Sequence, residues 1–145
     1  FGCVDDHGNI DRKQLGNIVF YDQQKKRQLE GIIHPYVIEE LKKGIQNCQD
    51  ALIFLDIPLL YEVHLETLCD KVIVVYVDEM TQKERLMKRN GISIEKANDL
   101  IKQQISIEEK RKKADYLIDN RCTLEELYIH IEKVLEVINN EVIYE

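Results

Sequence analysis

Three short apolar segments, separated by stretches with helical patterning, are the feature that most constrains the fold of this chain. They are ALIFLDI at 51–57, KVIVVYVD at 71–78 and DYLID at 115–119. The first two are apolar without alternation, which is typical of strands buried on both faces of a parallel sheet. Because helical patterns lie between the segments, their order predicts an α/β fold with a parallel sheet.

The helical patterns have recognisable starts and ends. Residues 12–48 are predicted to be helical, and Pro35 is predicted to open a helix, because its missing N–H needs no partner in a first turn. Asn90-Gly91 predicts the end of a helix. Residue pairs with the Ser/Thr-x-x-Glu spacing of a capping box predict three further helix starts. These pairs are Thr81 and Glu84, Ser106 and Glu109, and Thr123 and Glu126.

The charge of the chain is unevenly distributed. The net charge is −7 over 145 residues, yet residues 81–113 contain ten Lys and Arg against five Asp and Glu. A basic segment on an acidic chain indicates either a local anionic partner such as phosphate or simply a solvated helix surface, and the acidic remainder argues against nucleic acid. Absence of a long apolar window predicts no membrane span. Four cysteines without C-x-x-C spacing are typical of reduced thiols in a cytoplasmic protein.

Asp56 is placed where the first apolar segment ends. Ligands of parallel α/β sheets bind at the carboxyl ends of the strands, so this carboxylate could meet a metal ion there. A run of apolar residues ending in Asp is the Walker B pattern, in which the Asp holds Mg²⁺ or its water shell. The pattern alone leaves a second interpretation open, in which Asp56 is an ordinary turn or capping residue.

Five segments, taken in order, resemble the dephospho-CoA kinase family of P-loop kinases. They are FG…DDHGNIDRKQLGNIVF, LEGIIHP, DIPLLYE, RLMKRNGIS and QISIEEKRKKADYLIDN. The resemblance implies a three-layer P-loop kinase-like fold with a parallel sheet, a helical CoA-binding segment and a lid. It implies transfer of phosphate from ATP, with Mg²⁺, to the 3′-hydroxyl of dephospho-CoA, which is the last step of coenzyme A synthesis.

The resemblance also implies a division of the chain. Residues 1–48 correspond to the helical substrate-binding segment and 49–80 to core strands. Residues 81–113 correspond to the lid, and 114–145 to the last strand and helix of the core. The oligomeric state stays open.

On the nucleotide side, the resemblance assigns catalysis to Arg89, Asp56 and Lys110, with Asp56 also as the metal ligand. Arg85 and Arg89 lie four residues apart, hence on one helix face, and are implied to bind ATP phosphates. Asn120, in the loop after the last strand, is implied to contact adenine. Arg111, Lys112 and Lys113 are predicted to be solvated.

On the substrate side, the resemblance points to residues of two segments. Arg12 is implied to pair with a CoA phosphate, and His34 either to hydrogen-bond the substrate or to fix the start of the Pro35 helix. Glu62 is implied to orient a basic residue or a substrate hydroxyl. The wall of the substrate site is implied to be formed by Pro58, Leu59 and Leu60.

The sequence departs from the family in one respect. It contains no Gly-x-x-x-x-Gly-Lys-Ser/Thr, the loop whose backbone N–H groups cradle phosphates. We therefore expect the first βα unit of the family to be missing and this chain alone to be inactive. Two alternatives remain: a fragment of another P-loop nucleotide kinase, or a non-catalytic module that binds CoA or a nucleotide.

Overall fold

The computed structural model describes residues 1–5 and 7–144 and divides the chain into two compact units. The first unit is Phe1–Leu55 and the second is Asp56–Glu145. Each unit is described by itself below. No helix among the described residues combines the length and the apolar character needed to cross a membrane.

The first unit consists mainly of two helices, as predicted for 12–48. Helix α1 covers Arg12–Tyr21 and helix α2 covers Gln23–Asn47. Each helix begins after an aspartate whose carboxylate accepts two backbone N–H groups, Asp11 for α1 and Asp22 for α2. Such N-caps satisfy donors that have no partner within the helix.

Pro35 lies inside α2 rather than at the start of a helix, so that prediction is wrong. A proline in a helix interior cannot donate the usual hydrogen bond to the carbonyl four residues earlier, here that of Gly31. Helix α2 nevertheless remains helical on both sides of Pro35, although this one hydrogen bond is missing. Asp22 caps its start.

The second unit alternates strands and helices around a two-stranded sheet. Strand β1 covers Ile73–Tyr76 and strand β2 covers Tyr116–Asp119, and the two run parallel with Ile73 opposite Tyr116 and Tyr76 opposite Asp119. The predicted class, α/β with a parallel sheet, is confirmed. A short 3₁₀ helix at Glu66–Leu68 precedes β1. The α-helices are α3 (Glu79–Asn90), α4 (Ile94–Lys102), α5 (Ile107–Lys113) and α6 (Leu124–Tyr144).

The core of the second unit lies between this sheet and its covering helices. Helix α5 packs on β1 and helix α6 packs on β2. The buried apolar residues are Tyr61, Leu65, Val74, Tyr76, Ala97, Ile118 and Ile138. Val75, by contrast, is 55% exposed, so the prediction that this strand is buried on both faces is wrong. With two strands, the helices leave part of each sheet face open to solvent.

The segment 51–57 does not form the predicted strand. Among the described residues, the backbone groups of 52–56 make no hydrogen bond with another backbone group. Ile53 and Phe54 are exposed, at 40% and 58%. An apolar segment becomes a strand only where a neighbouring strand takes up its N–H and C=O groups, and in the described part of the chain the sheet consists of β1 and β2 without 51–57.

Two of the three helix starts predicted from capping boxes are confirmed. The Ser106 hydroxyl accepts the Glu109 N–H at 3.2 Å, and Thr123 and Glu126 cap each other reciprocally. Helix α3 instead begins after Asp78, whose carboxylate accepts the Thr81 N–H at 2.9 Å. Asp78 therefore caps α3 in place of Thr81. Its carboxylate oxygen lies further upstream and accepts a backbone N–H of the first turn, so the helix begins earlier than predicted.

Candidate functional site

Charged and polar side chains gather where β1 and β2 end, at the same edge of the sheet. Parallel α/β folds bind ligands at this edge. We call this group the carboxyl-end cluster, and it consists of Tyr76, Asp78, Arg85, Asp119, Asn120 and Arg121.

Asn120 is held in the cluster by its backbone on both sides. Its N–H donates to the carbonyl of Tyr76 at 2.8 Å, which extends the β1–β2 ladder by one bond. Its carbonyl accepts Nη2 of Arg85 at 2.9 Å. The structure thus brings together Arg85 and Asn120, both predicted to bind the nucleotide, and the described hydrogen bonds of Asn120 use its backbone only.

Arg121 is bound tightly to Asp119. Nε of Arg121 donates to both carboxylate oxygens of Asp119, at 2.9 and 3.1 Å, and Nη2 donates at 2.6 Å. Hydrogen bonds from the Arg121 side chain and backbone lower the pKa of Asp119 to about 2. The pair is therefore fully charged at neutral pH, and its bidentate geometry fixes the plane of the guanidinium.

The ring of Tyr76 connects this pair to helix α5. The guanidinium carbon of Arg121 lies 5.2 Å from the ring centroid and that of Arg111 lies 5.0 Å from it, both within cation–π range. The Tyr76 hydroxyl donates to Glu108 Oε1 at 2.6 Å, and this bond together with burial raises the pKa of Tyr76. Arg111, predicted to be only solvated, therefore packs on an aromatic ring.

Glu62 and Lys110 form a second, more enclosed ion pair. Their charged atoms are 2.7 Å apart, and the two side chains are only 14% and 13% exposed. Oε1 of Glu62 also accepts the Ile105 N–H at 3.0 Å, and Lys110 Nζ lies 3.4 Å from the Pro58 carbonyl. Burial by itself raises the pKa of Glu62, but the bonds from Lys110 and Ile105 lower it overall. Oε2 of Glu62 is buried with no hydrogen-bond partner.

The remaining predicted residues of the second unit are more open. Arg89 is exposed near the end of α3, and its Nε donates to the neutral amide of Asn90 at 3.1 Å. Asp56 is exposed, ahead of the turns at 57–64 in which Leu60 N–H donates to the Ile57 carbonyl. Pro58 and Leu59 are exposed and Leu60 is half-buried. The described residues contain no group of three His, Cys, Asp or Glu side chains that could share a metal.

Two predicted substrate residues belong to the first unit. Arg12 is the exposed first residue of α1, and His34 is half-buried in α2, immediately before Pro35. Because α2 begins at Gln23, His34 does not fix a helix start. The interpretation that His34 fixes a helix start is therefore wrong, and its contact with the substrate stays a prediction.

Sequence reasoning missed Tyr76, Asp119 and Arg121 as members of the cluster. Asp119 and Arg121 flank Asn120, so their proximity could have been expected from the strand-end position alone. Tyr76 gave no signal, because an aromatic residue in a strand is equally typical of core packing.

The family model that matches this chain and the relatives named below all point to the same family. Residues 2–126 match the family model described as Dephospho-CoA kinase. A dephospho-CoA kinase of Fusobacterium nucleatum is 43% identical over 135 residues, covering 93% of this chain and 70% of the relative. One of Enterococcus faecalis is 43% identical over 131 residues, covering 89% of this chain and 66% of the relative. This chain therefore spans about two thirds of the length of these relatives.

Solved structures agree with the sequence matches. The dephospho-CoA kinase of Campylobacter jejuni superposes with a TM-score of 0.67 at 33% identity, covering 96% of this chain and 70% of that one. The protein TT1252 of Thermus thermophilus superposes with a TM-score of 0.70 at 31% identity, covering 92% of this chain and 70% of that one. The fold of this chain is thus similar to theirs over most of its length.

Proposed function

The chain belongs to the dephospho-CoA kinase family, and on that premise we propose that it phosphorylates dephospho-CoA from ATP in the cytoplasm when it is part of a protein that also carries a phosphate-cradling loop, which we call the natural-length protein. The substrate 3′-hydroxyl oxygen bonds to the γ-phosphorus, the bond from that phosphorus to the β–γ bridging oxygen breaks, and the hydroxyl proton is released. The match over residues 2–126 is the observation that carries the proposal.

Phosphoryl transfer needs positioning and cations more than covalent chemistry. Arg89 suits a phosphate contact because it is exposed and its described bond is to a neutral amide rather than a carboxylate. Arg85 lies one helical turn earlier, beside Asn120. We assign both arginines to ATP phosphates and Asn120 to the base.

Asp56 is the proposed ligand of Mg²⁺. A lone exposed carboxylate fits this ion, which is commonly held by one or two carboxylates together with substrate phosphates and water. When bound, the ion neutralises charge on the transferring phosphates. The Lys110 ammonium donates to Glu62 and to the Pro58 carbonyl, and we propose that its third N–H reaches a phosphate.

The substrate side and the division of the chain remain as predicted from the resemblance. We propose that residues 1–48 bind dephospho-CoA, with Arg12 on a phosphate and His34 on a polar group. Pro58, Leu59 and Leu60 contribute apolar wall, and Glu62 orients Lys110, which supports one of its two predicted roles. Residues 81–113 act as the lid, between core segments 49–80 and 114–145.

The activity is tested by incubating the natural-length protein with ATP, Mg²⁺ and dephospho-CoA, while following ADP release and the mass of the product. We expect CoA to form, and CoA itself to accept no phosphate because its 3′-oxygen is already esterified. Turnover with nucleoside monophosphates instead would identify another nucleotide kinase. Binding without any turnover would identify a non-catalytic module.

The same assay applied to residues 1–145 alone tests the role of the phosphate-cradling loop. We expect no turnover from this chain, because it contains no Gly-x-x-x-x-Gly-Lys-Ser/Thr. A rate in the ordinary kinase range, roughly 1–100 per second, would overturn that expectation and leave the family assignment intact.

Arg89→Ala is expected to lower kcat of the natural-length protein by on the order of 10²-fold, because a charged transition-state contact is lost. Lys88→Ala is the matched control, since Lys88 is an exposed cation next to Arg89 on a different face of α3. Equal, small effects of the two substitutions would mean that the basic surface of α3 is only solvated.

A further inference from the structure

Arg121 is held in one orientation although it lies at the surface. Its side chain is 50% exposed, yet three hydrogen bonds to Asp119 and the Tyr76 ring restrain its guanidinium. Exposed arginines ordinarily keep most of their rotamer freedom, and this freedom is lost when a ligand binds them. Here the restraint is already present within the protein.

The position of Arg121 is that of a ligand contact. It directly follows Asn120, whose backbone is fixed between the Tyr76 carbonyl and Arg85. Both residues therefore lie at the carboxyl edge of the sheet, where ligands of parallel α/β folds bind. The half-exposed guanidinium presents its solvent-facing part at that same edge.

The electrostatics of Arg121 differ from those of Arg89, which is proposed to bind phosphate. Asp119 neutralises its charge, whereas Arg89 donates to a neutral amide. A guanidinium already paired with a carboxylate attracts phosphate weakly, but it keeps the flat, polarisable face that stacks on aromatic rings. Its chemistry therefore suits a heterocyclic base better than a phosphate.

We infer that Arg121 is a base-binding residue of the nucleotide site, and that its guanidinium plane stacks on the purine base. Asp119 and Tyr76 act as positioning residues, because they hold that plane without touching the ligand. The inference rests on the proposed function in that the purine nucleotide is ATP.

The test uses two substitutions and two probes. Arg121→Lys keeps the charge and removes the plane, while Arg121→Gln removes the charge as well. The affinities of ATP and of inorganic tripolyphosphate for the natural-length protein are measured by calorimetry. Lys133→Gln, a change of an exposed cation on α6, is the control for net charge.

Both Arg121 variants are expected to bind ATP on the order of tenfold more weakly, as for loss of one base-stacking contact. Their affinity for tripolyphosphate and that of Lys133→Gln for both probes should stay within about twofold. Wild-type ATP affinity in Arg121→Lys would overturn the inference in favour of charge alone. Equal weakening of both probes would overturn it in favour of a phosphate or structural role.

The failure of the proposed function is distinguishable from the failure of this inference. If the natural-length protein binds ATP with the expected Arg121 dependence but does not convert dephospho-CoA, the proposed reaction is wrong and the stacking role stands. If it makes CoA and both Arg121 variants bind ATP normally, the reaction stands and the stacking role is wrong.

Discussion

The Glu62–Lys110 pair is the most enclosed ion pair described in the second unit. Glu62 holds both helix α5 and the segment that precedes it. The same carboxylate oxygen accepts the Ile105 N–H, before α5, and pairs with Lys110, within α5. Its other oxygen is buried without a partner. A carboxylate in this position is costly to leave uncompensated, so the lysine and the backbone N–H are needed together.

We expect Glu62→Gln and Lys110→Met each to lower the free energy of unfolding by about 1–3 kcal/mol, because each leaves a partly buried partner unsatisfied. The double variant should lose less than the two losses combined, since neither charge remains. Urea unfolding of the four proteins measures this coupling. Additive losses would mean that the two residues stabilise the fold independently.

The same pair predicts a pH dependence. The pKa of Glu62 is lower in the folded protein than its ordinary value of 4.5, so its contribution to stability is present above pH 4.5 and is lost as pH falls through the folded pKa. Stability below pH 4.5 should therefore fall more steeply in the wild type than in Glu62→Gln. Parallel curves would contradict the role given to this carboxylate.

At the scale of elements, the end of α3 depends on one backbone conformation. Gly91 has φ of 61°, in the left-handed region, and its N–H bonds the Met87 carbonyl at 2.9 Å. A Cβ added at Gly91 would meet no atom within 4 Å. The requirement for glycine is therefore conformational rather than steric, and it sets where α3 turns towards α4.

Gly91→Ala is expected to lower the free energy of unfolding by about 1 kcal/mol, because alanine disfavours positive φ. Gly91→Asn should lose less, since asparagine tolerates this region. Gly44→Ala, inside α2 and also without atoms within 4 Å, should stabilise its helix by roughly 0.5–1 kcal/mol. Thermal unfolding measures all three variants, and the same sign for Gly91→Ala and Gly44→Ala would refute the argument.

Local signals in the sequence predicted most of the elements. The capping pairs at Ser106 and Thr123, the break at Gly91 and two apolar strands all form as expected. The strand at 51–57 and the helix start at Pro35 were wrong. Strand formation depends on a partner elsewhere in the fold, which a local signal cannot show. Pro35 was misread because the helical residues before it continue through it instead of ending there.

The candidate site was predicted in part. Asn120 and Arg85 could be named from the resemblance, and the structure brings them within one hydrogen bond. The contact of Arg111 with Tyr76 could not be predicted from the sequence. In a run such as EKRKK, any of the cations is equally acceptable as a solvent-exposed side chain. Only the packing of α5 against β1 decides which of these cations contacts the ring.

At the scale of the whole chain, the buried apolar residues are concentrated in the second unit. In the first unit, Cys3 is buried, while α1 and α2 contain no buried residue. The segment 52–56 has no described backbone partner. Local opening requires least free energy where few apolar contacts and few protected hydrogen bonds are lost.

Hydrogen exchange of residues 1–145 should reflect this distribution. We expect the amides of Leu52 to Asp56 to exchange at near-intrinsic rates, and the amide of Asn120, bonded to Tyr76, to exchange at least roughly 10²-fold more slowly. Protection of 52–56 comparable to that of Asn120 would show that this segment forms a strand in solution.

The burial of Tyr61 and Tyr76, the two buried tyrosines among the described side chains, has an optical consequence. The chain contains no tryptophan and seven tyrosines, so its near-ultraviolet signals come chiefly from tyrosine rings. Tyr61 and Tyr76 are buried, and each lies beneath a cation of the same helix, Lys113 and Arg111. Near-ultraviolet circular dichroism can therefore follow the undocking of α5 without any attached label.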